Sequence, residues 1–212
     1  VTLAFGIDGA NVTQNLPFSQ ACENNKRPIL EKLAAIFHAP GLVLEIGTGT
    51  GQHAVHFAGH LSHLTWQPSD HPRNYQLCLP RIRQAGLANL NSPKSLDVCQ
   101  SEWGLPDSVN GVFSANTAHI MSWPEVERMF AGVARILAPG SAFCLYGPFS
   151  YEGQHTSASN LNFDRHLRSQ NPSMGIRDMS DLIALADRCR LSLDEDLDMP
   201  ANNRMTVWRR QA

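Results

Sequence analysis

Residues Val43–His53 read VLEIGTGTGQH, and this stretch decides the fold. Apolar residues flank a single acid, Glu45, and glycines then recur at every second position. The short apolar run GLVLEI, Gly41–Ile46, reads as a buried strand, and GQHAVHFAGHL, Gly51–Leu61, as a helix. A glycine-rich turn between a strand and a helix belongs at the carboxyl edge of an open α/β sheet, where ligands bind. Glycines there either let a nucleotide-like ligand approach the backbone or simply make the turn.

Working outward, strand-like and helix-like segments alternate. RPILEKLAAIFH (Arg27–His38) has helical spacing, with Pro28 suited to a first turn. HLTWQPSD (His63–Asp70) reads as a strand, and PRNYQLCLPRIRQAG (Pro72–Gly86) as a helix bent at Pro80. A weaker strand follows over Ser92–Val98, and then a strand over Ser108–Ala118. The helix Trp123–Leu137 has Pro near its start and ends at APG, a stop signal. SAFCLYGPF (Ser141–Phe149) is the strongest strand, and a polar loop or short-helix insertion spans Ser150–Gly175. An insertion of that length is usually functional. After a helix over Met179–Arg190, LSLDEDLDM and RMTVWRR flank a short Pro200–Asn203 link, which predicts antiparallel neighbours. The expected architecture is α/β: an open, mostly parallel sheet with helices on both faces. Residues 18–212 are expected to form a single domain behind an N-terminal tail, 1–17.

Composition excludes several classes. The 212 residues are 42% hydrophobic and 17% charged, with a net charge of −2 and no basic run beyond Lys26-Arg27 and Arg209-Arg210. That gives no electrostatic footprint for nucleic acid or an anionic membrane. No apolar run reaches the roughly 18 residues of a membrane span. The five cysteines are scattered, with no Cys-x-x-Cys pair, so reduced thiols in the cytoplasm are expected. The first residues lack a basic then apolar pattern, so no signal peptide is expected, and the absent initiating Met suggests a processed or trimmed start.

Three ligands compete for the glycine turn. A phosphate-binding P-loop needs Lys after its last glycine, and Gln52 follows Gly51. A dinucleotide loop needs a small residue where Gln52 falls, which weakens an NAD-dependent oxidoreductase. The third spacing is acid-x-G-x-G-x-G, filled by Glu45, Gly47, Gly49 and Gly51. It resembles motif I of the seven-stranded, Rossmann-like S-adenosylmethionine-dependent methyltransferases. That resemblance implies backbone approach to the methionine and ribose parts of S-adenosyl-L-methionine. Asp70, closing the next strand, can accept ribose hydroxyl hydrogen bonds or merely cap a turn. The resemblance also implies a place near the adenine for Asp97. It puts His53 beside the cofactor loop, and Asn116 and His119 at the sheet edge that faces the ligands. A closing antiparallel hairpin distinguishes these methyltransferases from dehydrogenases.

The likeness runs further. ENNKRPIL (Glu23–Leu30), GTGTGQHAVHFA (Gly47–Ala58), WQPSD (Trp66–Asp70), LYGPF (Leu145–Phe149), SNLNFDRHLR (Ser159–Arg168), NPSMGIRD (Asn171–Asp178) and DMPANN (Asp198–Asn203) form an ordered series. The series resembles the uncharacterised methyltransferase-like family that includes methyltransferase-like protein 26, also described as a domain of unknown function. It covers about Phe18 to Arg209 and implies the fold and the cofactor, with the acceptor left open. Thr48 and Thr50 stand where Ser is common.

For the chemistry, His119 is a candidate base near neutral pH, against a plain helix-entry histidine. Tyr146 closes the strongest strand and either lines an acceptor pocket or packs. Asp164, a further catalytic candidate, and Arg168 lie four apart on one helical face, the spacing of a surface ion pair. Asn24, Asn160, Asn202 and Asn203 could hydrogen-bond a polar acceptor or serve caps and turns. SANT lacks the Asn/Asp-Pro-Pro-aromatic signature of adenine-amino methyltransferases. His53, His56 and His60 share a helical face, but no Cys or carboxylate at ligand spacing joins them, so no metal is expected. The expected activity is methyl transfer to a small molecule or a protein side chain. A cofactor-binding sensor or partner subunit without catalysis is the alternative.

Overall fold

The apolar runs pair in register as the strands of a single large sheet, and the residues that alternate along them divide between its two faces. The computed structural model describes residues 16–106 and 108–211. Most of the tail expected over 1–17 therefore lies outside the described residues.

In chain order the large sheet uses β1 (Gly41–Ile46), β2 (Leu64–Asp70), β3 (Lys94–Ser95), β4 (Val109–Ala115), β5 (Leu137–Gly147), β9 (Leu191–Met199) and β10 (Asn203–Arg210). Between β5 and β9 the chain adds β6 (Phe149–Tyr151), β7 (Gln154–His155) and β8 (Arg177–Asp178), a small sheet in the order β7-β6-β8. The large sheet has seven strands in the order β3-β2-β1-β4-β5-β10-β9. β1 lies parallel to β2 and β4, and β4 parallel to β5, while β10 runs antiparallel to both β5 and β9. The expected α/β sheet with its closing antiparallel hairpin is present.

Period-two alternation puts Leu44, Val112, Phe143 and Trp208 on one face and Val43, Phe113, Cys144 and Val207 on the other. The first face is covered by α4 (Trp123–Ile136) and α6 (Met179–Arg188), through Met129, Phe130, Leu182 and Leu185. The second face is covered by α1 (Gln20–Ile36), α2 (Gln52–His60) and α3 (Leu79–Ala85), through Leu33, Phe57 and Ile82. α4 begins at a cap that its sequence encodes: the Glu125 carboxylate accepts from both the N–H (2.6 Å) and the hydroxyl (2.7 Å) of Ser122.

Several boundaries differ from expectation. α1 starts at Gln20, not Arg27, because Ser19 caps it by accepting from the Cys22 N–H at 3.3 Å. Pro28 is therefore inside the helix, where it has no N–H to offer the Asn24 carbonyl one turn back. Of Pro72–Gly86 only Leu79–Ala85 is helical, so Pro80 opens α3 instead of bending a longer helix. The strand expected over Ser92–Val98 shrinks to two residues, and β4 ends at Ala115, since Asn116 turns to φ 57°. The APG run does not separate helix from strand: β5 begins at Leu137, directly after α4, and Gly140 takes φ 75° within it. The polar insertion is structured by β6, β7 and α5 (Ala158–Gln170), with Ser157 capping α5 through the Asn160 N–H at 3.1 Å. Among the described residues no helix is long and apolar enough to cross a membrane.

Candidate active site

After β1 the chain turns outward to β2, and after β4 it turns the other way to β5, so the carboxyl ends of these neighbours part. Open sheets bind ligands at such a switch point. Here a cleft of about 810 Å³ opens. Its floor is the glycine turn after β1, with Asn116 and His119 after β4 and Tyr146 and Pro148 from the end of β5. One wall comes from the start of α1, and the other from α5 and the Pro200–Asn203 turn of the hairpin.

The glycine turn is held mostly by its own amides. The N–H groups of Gly47 and Thr48 both donate to the Ser69 carbonyl at 2.9 Å, and the Gly51 N–H donates to the Thr48 carbonyl at 3.0 Å. The Gly49 N–H donates to the Asp70 carboxylate at 2.8 Å. Amides already paired in this way are not available to cradle a pyrophosphate. The three glycines all have positive φ but differ in surroundings. A Cβ on Gly47 would meet the Thr117 methyl at 2.3 Å, and one on Gly51 the Cys78 Cβ at 2.8 Å. A Cβ on Gly49 would meet nothing within 4 Å, and Gly49 is one of the residues that line the cleft.

Gln52, the residue out of place for a dinucleotide loop, is 6% exposed and joins the turn to α1. Its Oε1 accepts from the Ser19 N–H (2.6 Å) and the Thr50 hydroxyl (3.0 Å), and its Nε2 donates to Glu23 at 3.2 Å. Glu45 lies beneath the turn at 1% exposure, accepting from the Trp66 indole N–H at 2.9 Å and the Thr48 hydroxyl at 3.0 Å. Burial pushes its carboxyl up to about 7, against the pull of those two donors, and the nearby Asp70 adds to the rise.

Both cleft histidines are buried and neutral at physiological pH. Burial lowers His53 to about 4, and its Nε2 meets the Asn25 side-chain oxygen at 2.7 Å while its ring stacks on Phe57. Burial also lowers His119 to about 4, with the Arg177 guanidinium adding to the effect. Among the described residues no hydrogen bond to the His119 ring is present, and the ring packs against Phe163 at 5.1 Å between centroids with the planes at 78°. Its imidazole is thus an uncharged acceptor available to a ligand.

Of the residues singled out from sequence, Gly47, Gly49, His53, Asn116, His119, Tyr146, Asn24, Asn160, Asn202 and Asn203 come together around the cleft. Glu45, Gly51, Asp70, Asp97, Asp164 and Arg168 are not among its lining residues. Asp70 stands behind Gly49, and Asp97 receives the Cys99 N–H at 2.9 Å in its own turn. Asp164 is 7% exposed and serves the insertion instead, accepting from Arg168 Nε at 2.8 Å and from the buried Ile176 N–H at 2.7 Å. His56 and His60 do not join His53: their rings pack together at 4.4 Å, and His60 Nδ1 contacts the His56 carbonyl at 2.7 Å. Among the described residues no three His, Cys, Asp or Glu side chains are placed to hold a metal ion. Sequence reasoning missed Cys22, Asn25 and Phe163 as lining residues. The Ser19 cap was the available signal for the first two, because it puts them on the first turns of α1.

The model of the family described as protein of unknown function (DUF938) matches residues 16–210. The chain belongs to this family. The ordered motifs pointed to an uncharacterised, methyltransferase-like family of this kind. Solved structures of similar fold include an O-methyltransferase family protein from Burkholderia thailandensis, at TM-score 0.77 and 13% identity over 88% of this chain and 56% of that one. The S-adenosylmethionine-dependent methyltransferase SibL, in its apo form, superposes at TM-score 0.75 and 16% identity over 91% of this chain and 56% of that one. An O-methyltransferase from neocarzinostatin biosynthesis, in complex with S-adenosylmethionine and 2-hydroxy-5-methyl naphthoic acid, gives TM-score 0.73 and 14% identity over 90% and 54%. The chain thus spans little more than half the length of these proteins, and at such identity the likeness establishes the Rossmann-like methyltransferase fold.

Proposed function

We propose that this protein is an S-adenosylmethionine-dependent methyltransferase acting on a small molecule or a protein side chain, with residues 18–212 as one domain. The observation that carries the reading is the Gly49 turn. It lines the cleft at the sheet's switch point, a Cβ on Gly49 would meet no atom, it is backed by Asp70, and its amides are already paired. That combination suits a ligand admitted by backbone approach and ribose hydrogen bonding rather than one held by its phosphates. The volume of about 810 Å³ leaves room for an acceptor beside the cofactor.

When bound, the cofactor supplies a methyl group activated by a positively charged sulfur. The chain's own groups do the rest. Gly47–Thr50 provide close backbone approach. Asp70 braces that turn by accepting from the Gly49 and His71 N–H groups, and would have to turn a free lone pair toward the cleft to receive a ribose hydroxyl. α1 closes one side through Asn25, whose side-chain oxygen contacts His53. His119, neutral and without a protein hydrogen-bond partner among the described residues, accepts a hydrogen bond from an acceptor hydroxyl or amine at a ring nitrogen. Its lowered value of about 4 makes it an orienting group and a weak base until a bound acceptor raises it. Tyr146, Asn160, Asn202 and Asn203 orient that acceptor. Five free cysteines support a reducing compartment, the cytoplasm.

Calorimetric titration with S-adenosylmethionine, S-adenosylhomocysteine and NAD tests the cofactor. Heat with the two sulfur compounds is expected, and tight binding of NAD alone would overturn the reading. Incubation with methyl-labelled cofactor and a metabolite extract then separates an enzyme, which transfers label, from a sensor, which does not. His119→Ala is expected to cut the transfer rate about 100- to 10,000-fold while leaving cofactor affinity unchanged.

A further inference from the structure

The acceptor side of the cleft contains no formal charge. None of its described lining residues is Asp, Glu, Lys or Arg; its polar groups are asparagines (Asn24, Asn25, Asn116, Asn160, Asn202 and Asn203), a few hydroxyls and a thiol, and the two neutral imidazoles. Several charges on the surrounding elements are paired with one another, while the Arg177 guanidinium near His119 and the Arg81 guanidinium behind Thr50 are held by backbone carbonyls and do not line the cleft. Lys26 pairs with Glu23 on α1, Arg168 with Asp164 on α5, and Arg204 with Asp196 and Asp198 on the hairpin.

A carboxylate, phosphate or ammonium moved into such a cleft loses its hydration and gains no counter-charge, which costs several kcal/mol. Asn160 and Asn203 already donate to the protein through their side-chain amides, so their oxygens, together with Asn116, are the groups that meet hydroxyl, amide or carbonyl partners without a net charge. Phe163, a 37% exposed lining residue packed against His119 at 5.1 Å between centroids, adds an apolar ring to the cleft together with Tyr146 and Pro148. With the neutral thioether S-adenosylhomocysteine bound no sulfonium charge biases the choice, and the amino-acid end of that compound carries both signs and is locally neutral.

We propose that the acceptor is an uncharged, planar small molecule, a ring system with neutral hydrogen-bonding groups, and that the uncharged asparagine-lined cleft rejects anionic and cationic analogues of the same ring. This rests on the methyltransferase reading above. The test uses the full chain saturated with S-adenosylhomocysteine and three probes built on one ring: catechol (neutral), 3,4-dihydroxybenzoate (anionic) and dopamine (cationic). Their affinities are read by ligand-observed NMR at pH 7.5, independently of turnover. Catechol is expected to bind at least tenfold tighter than either charged probe. Asn24→Lys, which adds a cation on the exposed side of α1, is expected to raise the dihydroxybenzoate-to-catechol affinity ratio about tenfold. Equal or tighter binding of a charged probe by the unaltered protein overturns the proposal, as does the absence of catechol binding when S-adenosylhomocysteine binds. Failure of S-adenosylhomocysteine itself to bind counts against the cofactor reading instead, and the order of the three probes is still read directly.

Discussion

Glu45 shows how a motif residue can be legible in sequence while its role is not. The acid before the glycines belongs to the cofactor motif by spacing; it lies under the turn, fully buried and outside the cleft lining, with its proton lost only at about 7. A carboxyl raised in this way contributes stability that is complete below its unfolded value of 4.5 and is lost as pH rises through 7. Glu45→Gln removes that ionisation while keeping an acceptor for Trp66 or Thr48. The difference in melting temperature between variant and parent is therefore expected to move in the variant's favour from pH 5 to pH 8. A constant difference would show that Glu45 does not titrate in this window. The glycines divide by their surroundings. Gly47→Ala meets the Thr117 methyl and is expected to destabilise the fold by more than about 2 kcal/mol. Gly49→Ala meets no atom, so it bears only the strain of positive φ, about 1 kcal/mol, yet fills space the ligand would use. Calorimetry on both should show cofactor affinity reduced in Gly49→Ala despite a nearly intact melting temperature.

Elements were legible where apolar period and turn chemistry agreed, as for β1, β4 and α4, and poorly legible where long-range contacts decide. α1 begins seven residues early because Ser19 caps it, a local signal, and Gln52, far along the chain, then holds that cap in place by accepting the Ser19 N–H, a bond no local pattern announces. The insertion is the clearer case, since its polar composition left loop and short helix open and α5 crosses it for 13 residues. Asp164 accounts for the order there, because it joins α5 to the segment that leads into β8. Burial opposes its ionisation, but the Arg168 guanidinium and the Ile176 N–H outweigh it and hold the carboxyl below its ordinary value. Asp164→Ala leaves the Ile176 N–H buried without a partner and is expected to cost about 2–3 kcal/mol. Hydrogen exchange at Ile176 should accelerate far more than at the Gly49 amide in the cofactor turn. Equal acceleration at both sites would mean that the latch does not belong to the insertion alone.

At the scale of the whole molecule, the two-faced core and the switch point were readable because strand alternation and the β–α order depend on local pattern. The electrostatics were not, because they depend on which polar side chains the two cores enclose. His53 and His119 are carried into the interior as neutral imidazoles, each lowered from 6.5 to about 4. Below pH 6.5 the unfolded chain takes up these protons and the native state does not. Stability therefore declines as pH falls from 6.5 to about 4, by roughly 3 kcal/mol for each histidine. His56 is lowered in the same direction with a more open side chain. Glu45 acts oppositely between 4.5 and 7 and offsets about one histidine. Asp164 and Asp178, held below 3.8, release their contributions only at lower pH. The balance is a net loss of about 3 kcal/mol on acidification from pH 7 to pH 4.5, or roughly 6–12 °C in melting temperature for a chain of this size. Replacing both histidines by glutamine should remove most of the loss on acidification, because the Glu45 contribution is then opposed only by the more open His56. A parent protein equally stable at pH 4.5 and 7 would mean that these imidazoles are hydrated and charged in the native state, and the uncharged cleft inferred from them would fall with that result.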